Sequence, residues 1–124
     1  MVHGFQATRK DMELFRVMLE TSIPNCQIMV SCYNEGKTES SIEKLANNFA
    51  SEVLNYLGSL GKIEYKVSFI GHSLGGVIIR GGLQYLSAYY NRFYTYVSLS
   101  SPHLGYLGHD SQLINAGLWY LNKL

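Results

Sequence analysis

A chain of 124 residues that is 47% hydrophobic, 13% aromatic and 15% charged suits one small globular domain and is too apolar for a disordered segment. A net charge of +1 gives no electrostatic footprint for a nucleic-acid partner. The chain contains no apolar run of about 18 residues, so no membrane span is expected, and polar residues after Val2-His3-Gly4 argue against a secretory leader.

Met1-Val2-His3-Gly4-Phe5 reads as the end of a strand running into a loop. Thr8 to Glu20 follows as a helix. Met12, Phe15, Met18 and Leu19 recur at helical spacing, with Arg9, Lys10, Asp11, Glu13 and Arg16 on the other faces. Thr8 is the expected N-cap, and Asp11 completes a capping pair. Ile23-Pro24-Asn25 breaks the pattern. Gln27 to Cys32 is a short strand, and Tyr33 to Glu39 a polar loop. Cys26 and Cys32 fall at opposite ends of that strand, roughly 20 Å apart at about 3.3 Å per residue, so a disulfide between them would require abandoning it. Free thiols without a leader predict a reducing, cytoplasmic setting. The two Cys and four His show no zinc-ligand spacing, so no metal is expected.

Ser40-Ser41-Ile42-Glu43 opens the next helix, with Ser40 and Glu43 as a capping box. Ile42, Leu45, Phe49, Val53, Tyr56, Leu57 and Leu60 form an apolar stripe. Asn47, Asn48, Ser51, Glu52 and Asn55 take the wet side, and Gly58 and Gly61 close the helix. Glu64 to Ile70 is a strand that stops at Gly71-His72-Ser73-Leu74-Gly75-Gly76. An apolar helix follows from Leu74 to Tyr89. Its glycines Gly75, Gly76, Gly81 and Gly82 lower helix propensity by about 1 kcal/mol each, which close approach to the sheet would offset. Phe93 to Ser100 is a strand rich in β-formers, Ser101 to Gly105 a loop, and Ser111 to Leu124 a last amphipathic helix suited to core packing, to covering a pocket or to touching a membrane.

A G-x-S-x-G run between a strand and a helix is the context that places a nucleophilic serine on a sharp turn, with its hydroxyl clear of the backbone. Gly71 and Gly75 flank Ser73 where a Cβ would collide with the neighbouring turn. The N–H groups opening the helix favour negative charge developing at that hydroxyl. A glycine-rich turn without chemistry is the alternative. A phosphate-binding loop fits poorly, because no Lys follows these glycines.

Alternating strands and helices predict an α/β fold with a parallel sheet and right-handed crossovers. The site should lie beyond the C-terminal strand ends, where loops 2–8, 71–76 and 100–105 meet.

Val2-His3-Gly4-Phe5, Phe69 to Gly76 and Ser98 to Gly105, in that order, resemble the α/β-hydrolases, and more closely the serine esterase or lipase-like family of DUF676 type. Gly117-Leu118-Trp119 extends the likeness, which covers nearly the whole chain. The resemblance implies a three-layer α/β-hydrolase fold, a parallel sheet with helices on both faces, truncated at both ends. Residues 1–124 then form a single partial domain. It implies Ser73 as the nucleophile and the backbone N–H groups of Phe5 and Leu74 as the oxyanion hole. Gly4 lets the backbone approach the ester oxygen. His3, His72 and His103 take supporting roles, with Gly71 and Gly75.

In this fold the acid and the histidine of the triad follow the serine. After Ser73 the one acidic residue is Asp110, and no His follows it. His109-Asp110 stands in the wrong order and reads as a solvated pair. A serine without a base keeps its proton at neutral pH. Two functions therefore stay open. One is a carboxylic-ester hydrolase, with a small-molecule or lipid-like ester as substrate and no cofactor, whose acid and base lie elsewhere. The other is a catalytically inactive binding module or shortened product. Peripheral membrane contact and self-association through exposed sheet edges are further expectations.

Overall fold

The computed structural model describes residues 1–61 and 63–105. In chain order they form a 3-10 turn Arg9–Met12, helix α1 (Glu13–Ser22), helix α2 (Ile42–Ser59), strand β1 (Val67–His72), helix α3 (Leu74–Gly82), a 3-10 run Leu83–Arg92 and strand β2 (Phe93–Leu99). β1 and β2 pair in parallel, from Ser68 beside Thr95 to His72 beside Leu99. Parallel neighbours need a long crossover, and α3 with the 3-10 run supplies it. The described residues thus establish the α/β class.

Of the four expected strands, only these two are regular. The other two contribute ladder bonds alone. Val2 donates to Ile70 O at 2.9 Å and accepts from the His72 N–H at 3.1 Å, which bridges Val2 in parallel to Gly71. On its other side, Met1 donates to Met29 O at 2.6 Å and accepts from the Ser31 N–H at 2.8 Å. Residues 27–32 are therefore extended beside Met1 without forming the strand that their sequence suggests. Two bonds from so short a neighbour do not make a ladder.

The core is built where α2 and α3 press on β1. Leu45, Phe49, Val53 and Leu57 of α2 meet Phe69, Ile78, Ile79 and Leu86, all buried. Phe69 packs edge-on between Phe49 and Phe93, with ring centroids 6.1 and 5.0 Å away. A Cβ on Gly82 would fall 2.6 Å from the Phe49 ring, and one on Gly81 3.2 Å from the Ala46 Cβ. This second glycine pair therefore fits α3 to α2, not to the sheet. The expected single helix to Tyr89 ends as an α-helix at Gly82, and Leu86 leaves helical geometry (φ −108°, ψ 22°).

Other departures concern which face is wet. Thr8 and Asp11 form the expected capping box, but the first turn they cap is 3-10. Leu14, Val17 and Met18 on α1 are exposed, Met18 against expectation. The cap of α2 is Ser41, not Ser40: its hydroxyl accepts from the Lys44 N–H at 3.3 Å. Gly58 lies inside that helix, and Gly61 (φ 68°) follows its end in the left-handed conformation common after a helix. Glu52, expected in water, is buried. Among the described residues no helix is long and apolar enough to cross a membrane. The expected helix 111–124 and the pair His109-Asp110 lie outside the described residues.

Candidate active site

β1 ends at His72, and the chain turns into α3 on one residue. Ser73 takes φ 53° and ψ −124°, a combination that side-chain-bearing residues rarely adopt. Such a conformation costs on the order of 1–3 kcal/mol and persists only where its surroundings impose it. Here the Ser73 N–H donates to Leu99 O at 2.8 Å, and Ser73 O accepts from the Gly76 N–H at 3.1 Å. Ser73 heads α3, yet its side chain makes no capping bond. The hydroxyl is half-buried and left available.

Glycines make this turn possible. A Cβ on Gly71 would stand 2.5 Å from both Cα and N of Gly76. A Cβ on Gly75 would run into the carbonyls of Val2 and His3. The first turn of α3 thus lies hard against the Val2–His3 backbone and carries Ser73 to the loop that follows. A Cβ on Gly4 would fall 3.0 Å from the Ser73 Cβ and 3.4 Å from His72 Nδ1.

That loop turns at Gly4–Ala7, with the Ala7 N–H reaching Gly4 O at 3.4 Å and Gln6 at φ 51°. The Gln6 N–H donates to Thr38 Oγ1 at 3.0 Å. Among the described residues, the backbone N–H groups of Phe5 and Leu74 donate no hydrogen bond. Two donors without a partner among the described residues therefore stand close in sequence to the Gly4–Ser73 contact.

The third loop closes the group from the other side. A Cβ on Gly76 would overlap Ser101 Oγ and lie 2.7 Å from Ser98 Oγ. The Ser98 hydroxyl and His103 Nε2 are 2.6 Å apart, and Arg80 Nη1 reaches His103 O at 3.4 Å. The three loops expected from the sequence to converge therefore do so.

The histidines divide. His3 is fully buried, with Nδ1 donating to Gly4 O at 3.0 Å. His72 is exposed at the end of β1. His103 is held by Ser98 and Tyr96, whose ring lies edge-on at 6.3 Å. His3 Nε2 and His103 Nδ1 are buried with no partner among the described residues. No described histidine is hydrogen-bonded to Ser73. No group of three or more His, Cys, Asp or Glu among the described residues could hold a metal.

Three polar residues make contacts that the sequence does not reveal. Thr38 receives the Gln6 N–H, and Ser98 engages His103. Glu52 accepts from Ser31 Oγ at 2.5 Å, the Cys32 N–H at 2.8 Å and Cys32 Sγ at 3.3 Å. It fastens the segment beside Met1 to α2. The polar residue at position 52 inside the α2 stripe was the available signal, since Val53 and Phe49 beside it are core.

The family described as "Putative serine esterase (DUF676)" matches over residues 1–124. The chain is 33% identical over 119 residues to the Saccharomyces cerevisiae protein named "Putative lipase YDL109C", covering 85% of this chain and 18% of that relative. It therefore spans less than one fifth of the length of this curated relative. No solved structure matches the chain.

Proposed function

The chain belongs to the DUF676 serine esterase family, and on that premise we propose that it carries the nucleophile and oxyanion hole of a carboxylic-ester hydrolase. The single observation that carries the reading is the backbone of Ser73. A strained residue (φ 53°, ψ −124°) heads a helix, against a glycine of a second loop. We read the full protein as a three-layer α/β-hydrolase of which residues 1–124 are part. The parallel pair β1–β2 with its helical crossover supports this.

In the proposed reaction, Ser73 Oγ attacks the ester carbonyl carbon as a base accepts its proton. The carbonyl π electrons move to oxygen. The resulting oxyanion accepts hydrogen bonds from the Phe5 and Leu74 N–H groups, at the positive end of α3. The tetrahedral intermediate collapses and expels the alcohol, which takes a proton. Water then releases the acid from the acyl-enzyme by the same steps. His103 is engaged with Ser98, so the base and its acid partner are assigned to residues beyond those described. Half-buried Leu74 and exposed Leu99, beside Ser73 in the chain or bonded to it, suit a hydrophobic acyl chain. The relative named a lipase agrees with a lipid-like ester. Cys26 and Cys32 are free, which supports a reducing, cytoplasmic setting.

A second reading, an inactive module that keeps the fold without turnover, is favoured by the lack of a described imidazole on Ser73. Labelling of the full-length protein with a fluorophosphonate separates the two. Modification at Ser73 supports the hydrolase. A folded protein that stays unlabelled supports the module.

A further inference from the structure

We propose that Thr38 is a positioning residue for the oxyanion turn, an inference that rests on the esterase reading of Ser73. Gln6 is the third residue of the turn Gly4–Ala7 and sits at φ 51°, the positive value that a type II turn requires there and that Gly normally supplies. A glutamine adopts this conformation at a cost, which a bond from outside the turn offsets. The turn's own closing bond, Ala7 N–H to Gly4 O, is long at 3.4 Å. The fixing bond is the one from the Gln6 N–H to Thr38 Oγ1 at 3.0 Å, and Thr38 is only 6% exposed, so water competes little for it.

That bond orients the peptide between Phe5 and Gln6. Without it the peptide can rotate toward the type I arrangement, in which Gln6 leaves the left-handed region. The rotation changes ψ of Phe5, and the adjoining Gly4–Phe5 peptide, whose N–H is the proposed oxyanion donor, must readjust for the loop to stay closed. Misplacing a catalytic group by about 1 Å can lower a rate 10²-fold.

Thr38 is itself well anchored. Its loop is folded by three backbone bonds: Glu35 N–H to Cys32 O at 3.0 Å, Lys37 N–H to Asn34 O at 3.0 Å and Ser40 N–H to Lys37 O at 2.9 Å. Asn34, fully buried, donates to Leu45 O at 2.9 Å and accepts from Asn48 Nδ2 at 3.0 Å. The loop is thus fixed to α2, and Thr38 transmits that rigidity to the turn. Two further ties join the same loop to the turn and the residues after it. They run from Gln6 Nε2 to Glu39 at 3.4 Å and from the Arg9 N–H to Glu35 at 2.7 Å. Both are exposed, so water can replace them.

The test is steady-state hydrolysis of p-nitrophenyl butyrate by the full-length protein. T38V keeps the shape and removes the acceptor, and T38S restores the hydroxyl. T38V is expected to lower kcat at least tenfold with KM within twofold, and T38S to return kcat to within threefold of the parent. A T38V kcat within twofold of the parent would overturn the assignment, as would a T38S variant no better than T38V or a loss confined to KM. A parent rate that S73A does not reduce would overturn the esterase reading and this assignment together, a result distinct from intact turnover in T38V. Should T38V not fold, amide hydrogen exchange of the parent decides. The Gln6 amide is expected to be protected at least 100-fold, and an unprotected amide overturns the proposal.

Discussion

Gly4 lies directly against Ser73: a side chain at position 4 would place its Cβ 3.0 Å from the Ser73 Cβ. Few Cβ contacts are that close, so an alanine at position 4 must push the loop or the serine aside. G4A is expected to lower ester hydrolysis by the full-length protein at least tenfold while leaving its circular dichroism unchanged. A methyl that moves a catalytic backbone by a fraction of an ångström acts on geometry before it acts on stability. Parent-level turnover in G4A would show that this contact does not govern the site.

The glycines of the turn around Ser73 and of α2 should respond in opposite directions. At Gly71 an added Cβ meets the Gly76 backbone at 2.5 Å, and backbone cannot swing away as a side chain can. G71A is expected to destabilise the fold by about 3 kcal/mol or more. Gly58 lies inside α2 with nothing within 4 Å of an added Cβ. G58A is expected to stabilise by about 0.5–1 kcal/mol, because alanine favours the helix. Urea unfolding of the two variants checks both signs.

Glu52 illustrates what a helical wheel alone does not reveal. Glu52 is 7% exposed, and its carboxylate holds the Ser31 hydroxyl and the Cys32 N–H. E52A leaves these donors without an acceptor and is expected to cost about 3 kcal/mol in unfolding free energy. Burial, and then the hydrogen bond to Glu52, push the Cys32 thiol pKa upward. The thiol therefore holds its proton in the folded chain at pH values where a free cysteine has begun to ionise. Its alkylation by iodoacetamide at pH 8 is expected to be slower in the native protein than in urea, and the gap to narrow as pH rises past 9. Equal rates at pH 8 would contradict this account.

The strand-to-helix turn at Ser73 is legible in the sequence because its signals are local. Val67 to Ile70 is β-prone, the glycines at 71 and 75 flank the serine, and an apolar run follows at once. In the structure Ser73 takes a positive φ of 53° between β1 and α3. The Gly4–Ser73 contact follows from the order of the loops in a parallel sheet. The Thr38–Gln6 and Ser98–His103 bonds are not legible in the same way. Each joins a common polar residue to a partner that only folding brings near, 32 and 5 positions away. Glu52 reads as a wet-face residue for a related reason. A wheel distinguishes apolar from polar, but not a polar residue that faces water from one that faces unpaired backbone N–H groups. The 27–32 segment reads as a strand from its β-formers, yet a regular strand needs a neighbour long enough to pair with, and Met1-Val2 supplies only the bonds at Met29 and Ser31.

The most direct measurement is intact-protein mass spectrometry of the full-length protein after reaction with a fluorophosphonate, with peptide mapping of the adduct. The expected result is a single adduct on Ser73 that is absent in S73A and slowed in G4A. A folded protein that takes up no reagent, or one labelled equally in S73A, would contradict the assignment of Ser73 as the nucleophile.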